Sequence, residues 1–473
     1  MKKLLAFLTA TILVAAALSG CSGVDSTKEK PTADKDDVKI TVWSGDGGAQ
    51  AVWEEMVDEW NLTTGDKKNI FIDWVTVMDS TQADVAAQNG QLPEIAGLSG
   101  TQVEKFALNG SIVPIEELPG GREFLKEYNQ PGIEDNNVFN GKQYSVYRKA
   151  TTSALAYNKD LFKKAGIVDE KGEAKPPKTV AEVREASKKI RALGENIYGF
   201  AFPIKFGLWA TVDALTAPSF NLDSPVVNTD LDTLTVTYPG YKDRYQWLLD
   251  MKKDGSILPG AESLDNDTAR AYFASGIIGM IPACSWDVGV YTTQFPAECD
   301  WDICDFPTLD GRERWMNYMT ISGGFVISNN ALKDEKTAKA TMEVYKFIYS
   351  LETRTKLFEL GTDLSCKSDV LEAVDINKVD PRFAKFAALV EDDYKQYPGE
   401  TYSVEGEGWA VLFEKVWLGE MSLDAAIKDY EKRATKGLRK AVANGDYDVS
   451  RQKAIDAEKR ADFEIIKAKR AEK

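Results

Sequence analysis

Past residue 37 the chain alternates two kinds of hydrophobic pattern. Residues 38–43 are β-branched or aromatic with a period of two, which predicts a strand. A turn follows at Ser44-Gly45-Asp46-Gly47-Gly48. Residues 49–60 then place Val52, Met56 and Trp60 at i, i+4 and i+8, one apolar helix face. Residues 70–78 predict a second strand, 81–89 a helix closed by Gly90, and 93–98 a third strand. Another helix ends at Asn109-Gly110, before an apolar run at 112–115. This rhythm predicts a parallel sheet with helices on both faces. Residues 180–193 form a further amphipathic helix. Near the end, Ala454, Ala457, Ala461 and Ile465 recur at helical spacing on a charged surface helix.

The first residues carry a different pattern. Lys2 and Lys3 precede an apolar run over 4–18 broken only by Thr9 and Thr11, then small residues and Cys21. That is the layout of a secretory signal, too short for an ordinary membrane span. Leu18-Ser19-Gly20-Cys21 resembles a bacterial lipobox. The resemblance implies cleavage after residue 20 and a diacylglycerol on Cys21. Residues 22–37 are polar, with almost nothing apolar to bury, and read as a linker. Fully extended it would reach about 50 Å.

Composition narrows the chemistry. The 58 Lys and Arg stand against 74 Asp and Glu, a net charge of −16. Loss of Lys2 and Lys3 with the leader brings it to −18. Such a surface disfavours nucleic acid and anionic lipid. The chain has no histidine, which excludes Ser-His-Asp and Cys-His catalysis and removes the commonest zinc ligand. Four cysteines follow Cys21, none in a CxxC pair. Two readings stay open: buried thiols, or an extracytoplasmic disulfide, first between Cys299 and Cys304, which bracket a short loop. The glycine turn at 44–48 lacks both the P-loop and the dinucleotide fingerprint. Asp265-Asn266-Asp267 fails the EF-hand pattern and reads as a loop. No cofactor or metal is expected.

The middle of the chain carries a specific resemblance. Ala156-Tyr157-Asn158-Lys159-Asp160-Leu161-Phe162 and Ala165-Gly166 are followed by Pro176-Pro177-Lys178-Thr179 and a helix. Leu92-Pro93-Glu94-Ile95, Gly110 to Ile115, Tyr272 to Met280 with Trp286 after it, Ser322 to Ser328, and Leu418 to Ala426 follow the same order. The set resembles the family 1 extracellular solute-binding proteins of ABC importers, over about residues 38–440. Glu94 stands where that family usually has Asp. The resemblance implies an α/β fold of two discontinuous lobes with a hinge, like a Venus flytrap. Lobe one would comprise 38–150 and 322–365, and lobe two 151–321 and 366–473. It implies a monomeric, lipid-anchored protein on the outer face of a bacterial membrane. A carbohydrate, an oligosaccharide above all, would be captured between the lobes and passed to the permease.

Ligands of open α/β sheets bind beyond the carboxyl ends of the strands. In lobe one those ends offer Trp43, Ser44, Asp46, Asp79, Ser80 and Ser99. A carboxylate spanning two sugar hydroxyls is a directional contact, whereas Asp before a helix also serves as an N-cap. Asp46 and Asp79 are open to both readings. Tyr147 and Arg148 stand near the first crossing, where Arg148 would meet ligand or a structural carboxylate. Sugar rings stack on indoles, and the loop tryptophans Trp209, Trp286 (with Asp287 beside it) and Trp409 are the candidates. Gly324 would permit a close approach or hinge motion. Polyamines are the alternative ligand within this class. A secreted glycoside hydrolase is the distant alternative, since aromatics and two carboxylates would suit it.

Overall fold

A computed structural model of the chain describes residues 30–472, except 46–48, 78–80, 131, 134–135, 318, 323, 391–396 and 398–401. The first sheet opens with β1 (Val38–Ser44), β2 (Ile70–Thr76), β3 (Ile95–Gly97) and β4 (Ile112–Val113). β1 pairs in parallel with β2, from Val38 opposite Ile70 to Ser44 opposite Thr76, and with β3 on its other side. Its alternating positions Ile40 and Val42 are wholly buried.

The helix Gln50–Trp60 covers one face with Trp53, Met56, Val57 and Trp60. This is the predicted helix with its stripe turned slightly, so that Trp53 replaces Val52. Asn61 then ties the helix to β2. Its side chain donates to Ile72 O at 2.9 Å and accepts from Ile72 N at 2.8 Å. A buried amide with both ends satisfied fixes register at little cost.

A small hairpin, β5 (Val138–Phe139) and β6 (Lys142–Gln143), precedes the ten-residue β7 (Lys149–Asn158). The second sheet is built around β7 from β8 (Tyr198–Phe200), β11 (Ile278–Cys284) and β12 (Trp301–Cys304), in the order β12-β7-β11-β8. Between them lies an outlying ribbon of β9 (Asn228–Asp230) and β10 (Thr235–Thr237).

The chain then returns to the first sheet. β13 (Met319–Ser322) pairs with the start of β7, and β14 (Phe325–Ser328) inserts antiparallel between β3 and β4. The first sheet is therefore mixed, where a purely parallel one was expected. Its odd strand enters from the other lobe, so its direction is set by the crossing and not by a βα unit. The third crossing brings β15 (Leu364–Ser365) back against Ala150 and Lys149 of β7. All three crossings thus meet at one end of β7.

Separate cores flank the two sheets. Ile40, Trp53, Phe325 and Tyr345 belong to the first lobe, Phe162, Phe200, Phe413 and Trp417 to the second. The helix Leu351–Glu359 bridges the lobes, with Leu357 in the lobe-one core and Phe358 packed with Phe383 and Phe386 of lobe two.

The charged end of the chain is the helix Val449–Ala471, the surface helix expected. Phe463 and Gln452 are buried, while Ala454, Ala457, Ala461 and Ile465 point outward. The Phe463 ring packs on Trp315 at 4.6 Å, and Asp223 holds Arg460 and Lys467. One aromatic outweighs a stripe of alanines, whose burial contributes little each. Among the described residues no helix is long and apolar enough to cross a membrane.

Candidate functional site

A cleft of 830 Å3 lies between the two sheets, where β1 and β11 end. Lobe one contributes Gly45, just past β1, and Gln50 and Glu54 from the outer side of the first helix. Lobe two contributes Asp267 and Arg270 from the helix Asn266–Ala274, and Ser285, Trp286, Thr293 and Gln294 from the segment after β11. The floor is the crossing region, with Lys149, Thr151, Thr362 and Asp363. This placement follows the strand-end rule.

Trp286 stands at the junction of β11 and a short helix beginning at Asp287, half-buried against the cleft. Asp287 lies directly beneath. It accepts a hydrogen bond from Cys284 N at 2.7 Å and forms an ion pair with the Arg270 guanidinium. Burial pushes the Asp287 carboxyl up, against the pull of Arg270. Burial also works against the Arg270 charge, but Asp287 and Asp267 outweigh it and hold the guanidinium charged. Asp267 reaches Arg270 Nη1 at 3.0 Å. On the opposite wall Glu54 accepts from Gln50 at 2.7 Å and pairs with Lys30 at 3.1 Å. Those two contacts lower its pKa.

Arg148 is a structural residue of the crossing. Its side chain is 0% exposed and Nε donates to Asp363 Oδ2 at 2.6 Å. Its guanidinium lies 5.1 Å from the Trp53 ring and 5.5 Å from Phe325. Lys149 adds a second cation 3.7 Å from Asp363 Oδ1. Tyr147 is buried too; its hydroxyl donates to Asn136 and its backbone carbonyl accepts from Tyr128. Gly324 is a point of close approach, since a Cβ there would stand 3.0 Å from Ser145 Oγ.

Several expected site residues take other places. Trp409 is the first residue of the helix Trp409–Leu418 and is 8% exposed. It packs at 4.4 Å on Tyr241 and at 5.3 Å on Tyr245, inside the lobe-two core. Ser99 begins the helix Gly100–Leu108, where its N–H donates to the Gln102 side chain at 3.2 Å. Ser44 is buried within β1, with its carbonyl accepting from Val77 N, and Trp43 packs beside Phe106 and Val326. Asp265 is an N-cap accepting from Thr268 N at 2.8 Å, so Asp265-Asn266-Asp267 opens a helix where a loop was expected. Of the two readings left open for Cys299 and Cys304, the structure has the thiols and no bridge: all four described cysteines are free. Cys299 packs with the core around Phe273 and Cys304 with the core around Phe162, on opposite faces of β12's sheet. Asp46, Asp79, Ser80 and Cys21 lie outside the described residues, as does the Trp209 side chain.

Sequence reasoning missed Gln50, Glu54, Lys149, Asp267, Arg270, Thr293 and Gln294. The available signal was the outward face of two helices beside strand ends, with Asp267 and Arg270 at i, i+3.

Comparison with known proteins agrees with this architecture. The sn-glycerol-3-phosphate-binding periplasmic protein UgpB of Brucella abortus (strain 2308) is 28% identical over 335 residues, 68% of this chain and 73% of that protein. The maltose/maltodextrin-binding domain MalE from Bdellovibrio bacteriovorus, solved bound to maltotriose, superimposes with a TM-score of 0.60 at 20% identity, over 85% of this chain and 100% of its own. The GacH receptor of Streptomyces glaucescens, solved unliganded and with acarbose, gives 0.62 at 17% identity, over 85% and 98%. The two-lobe fold is shared with these structures. A profile of the family described as bacterial extracellular solute-binding protein matches residues 43–358, two thirds of the chain, and the chain belongs to that family.

Proposed function

We propose that this protein captures a carbohydrate, an oligosaccharide above all, in the cleft between its lobes and delivers it to an ABC importer permease. The observation that carries the reading is Trp286. An indole half-exposed in an 830 Å3 cleft, among hydroxyl and amide groups of Ser285, Thr293, Gln294, Gln50 and Thr151, is a stacking platform with directional donors and acceptors around it. The solved relatives bound to maltotriose and acarbose are consistent with it.

In this reading the lobes divide near 150/151, 321/322 and 365/366. The crossings at β7, β13 and β15 act as the hinge, and ligand stabilises the closed form by its higher affinity for it. Cys21 carries the lipid that holds a monomer at the outer face of the cell membrane, and no bond of the ligand is broken.

The test is a thermal-shift screen of residues 22–473 against mono- and oligosaccharides, with spermidine and putrescine alongside. A ligand at 100 times its Kd adds ~2.7 kcal/mol of apparent stability. A shift with one sugar class, lost in Trp286→Ala, supports the reading. A shift with amines alone overturns the sugar and keeps the binder. Cleavage of an oligosaccharide would overturn the non-enzymatic reading.

A further inference from the structure

Two cations line the cleft among the described residues, Lys149 and Arg270, and both are committed to carboxylates. Lys149 faces Asp363, which already holds Arg148. Arg270 is the more telling of the two. A guanidinium recognises phosphate or carboxylate through parallel N–H groups of one planar fork. Here Nη1 points to Asp267 at 3.0 Å and Nη2 to Asp287. The Arg270 side chain is 11% exposed and that of Asp287 only 7%. Arg270 lines the wall and Asp287 backs it, and the pair is shielded from the solvent that would screen a surface contact. Asp287 is further fixed by the Cys284 N–H, so it cannot swing away without leaving that donor unpaired.

We propose that Asp287 sets the charge selectivity of the cleft: by occupying the Arg270 fork from below, it leaves a wall without net positive charge, which accepts an uncharged, hydroxyl-rich ligand and rejects a phosphorylated one. Asp287 is a specificity-determining residue that acts through Arg270, and it need not touch the ligand. This deepens the carbohydrate reading and rests on the same cleft, but its test does not require the sugar to be known.

The experiment is calorimetric titration of sn-glycerol 3-phosphate and glucose 1-phosphate into residues 22–473, as wild type, Asp287→Asn, and Asp287→Asn combined with Arg270→Gln. Wild type is expected to bind neither anion at millimolar concentration. Asp287→Asn, nearly the same shape, removes the charge that holds Nη2 and is expected to gain at least tenfold in affinity for both. That gain should fall steeply with salt and vanish in the double variant. Asp267→Asn, at the more exposed partner of the same fork, should give a smaller gain in the same direction. It keeps the test usable where Asp287→Asn unfolds. Tight binding of either anion by wild type, or no gain in either single variant, overturns the proposal. Absence of any saccharide binding alongside a gain for the anions would sink the carbohydrate reading and leave the charge rule standing.

Discussion

Trp286 and Trp409 are the same residue type, both expected in loops, and the fold assigns them opposite work. Trp409 follows Gly406 and Gly408, which suggests a loop, yet it begins a helix and its ring lies among Tyr241, Tyr245 and Tyr430. Trp409→Ala should therefore cost about 3–5 kcal/mol of stability, as large-to-small core changes do, read in urea unfolding. Trp286→Ala should leave stability nearly unchanged and weaken ligand at least tenfold, ~1.4 kcal/mol. Equal effects of the two substitutions on affinity would contradict the placement. At Arg148 the residue alone could not reveal its partner, because Asp363 lies 215 positions away and the pair exists only once the crossings meet. Asp363→Ala removes the carboxylate that faces the buried guanidinium and should destabilise by about 3–5 kcal/mol, whereas Arg148→Met with Asp363→Leu should recover much of that loss.

Elements were more legible than sites. Strands at 38–44 and 70–76 stand out because a two-residue alternation survives any tertiary context that buries one face. The helix at 50–60 was readable for the same reason at period 3.6. The C-terminal helix shows where pattern reading fails: its existence follows from propensity, but its buried face follows from what it meets. Trp315 waits in a loop 148 positions earlier and selects Phe463. The ion pairs of Arg460 and Lys467 with Asp223 are about half exposed and worth ~0–1 kcal/mol each. Phe463→Ala should speed amide exchange across 449–471 while the body of the protein keeps its protection. Asp223→Ala should do so only slightly. Exchange unchanged by Phe463→Ala would mean that another contact holds the helix.

For the whole molecule, the four unbridged thiols among the described residues shape the response to alkali. Burial pushes Cys299 and Cys366 up to about 11 and Cys284 up to about 12, from an ordinary 9.0. Burial likewise raises the Tyr349 hydroxyl to about 12. Groups raised in this way favour the folded state in their protonated form. Their contribution is complete below pH 9 and is lost as pH climbs towards 11–12. The urea midpoint should accordingly be flat through neutrality and fall above pH 9, with native thiols resisting alkylation until the same window. A reagent that titrates Cys284 in the folded protein at neutral pH would contradict its burial. Since Leu357 and Phe358 enter different cores from one helix, the two lobes should also melt in one transition.

The insertion of β14 between β3 and β4 also bears on when the protein can fold. The first sheet cannot close with residues 38–113 alone, since the strand that joins its two parts begins at Phe325. At about 5–20 residues per second, a ribosome takes roughly 10–40 s to bridge that gap of about 210 residues. Through that interval the leading portion of the chain has an unfinished core and stays pliable. For a member of an extracytoplasmic family, exported as an extended thread, this topology keeps the door open: the lobe that emerges first is among the last to set.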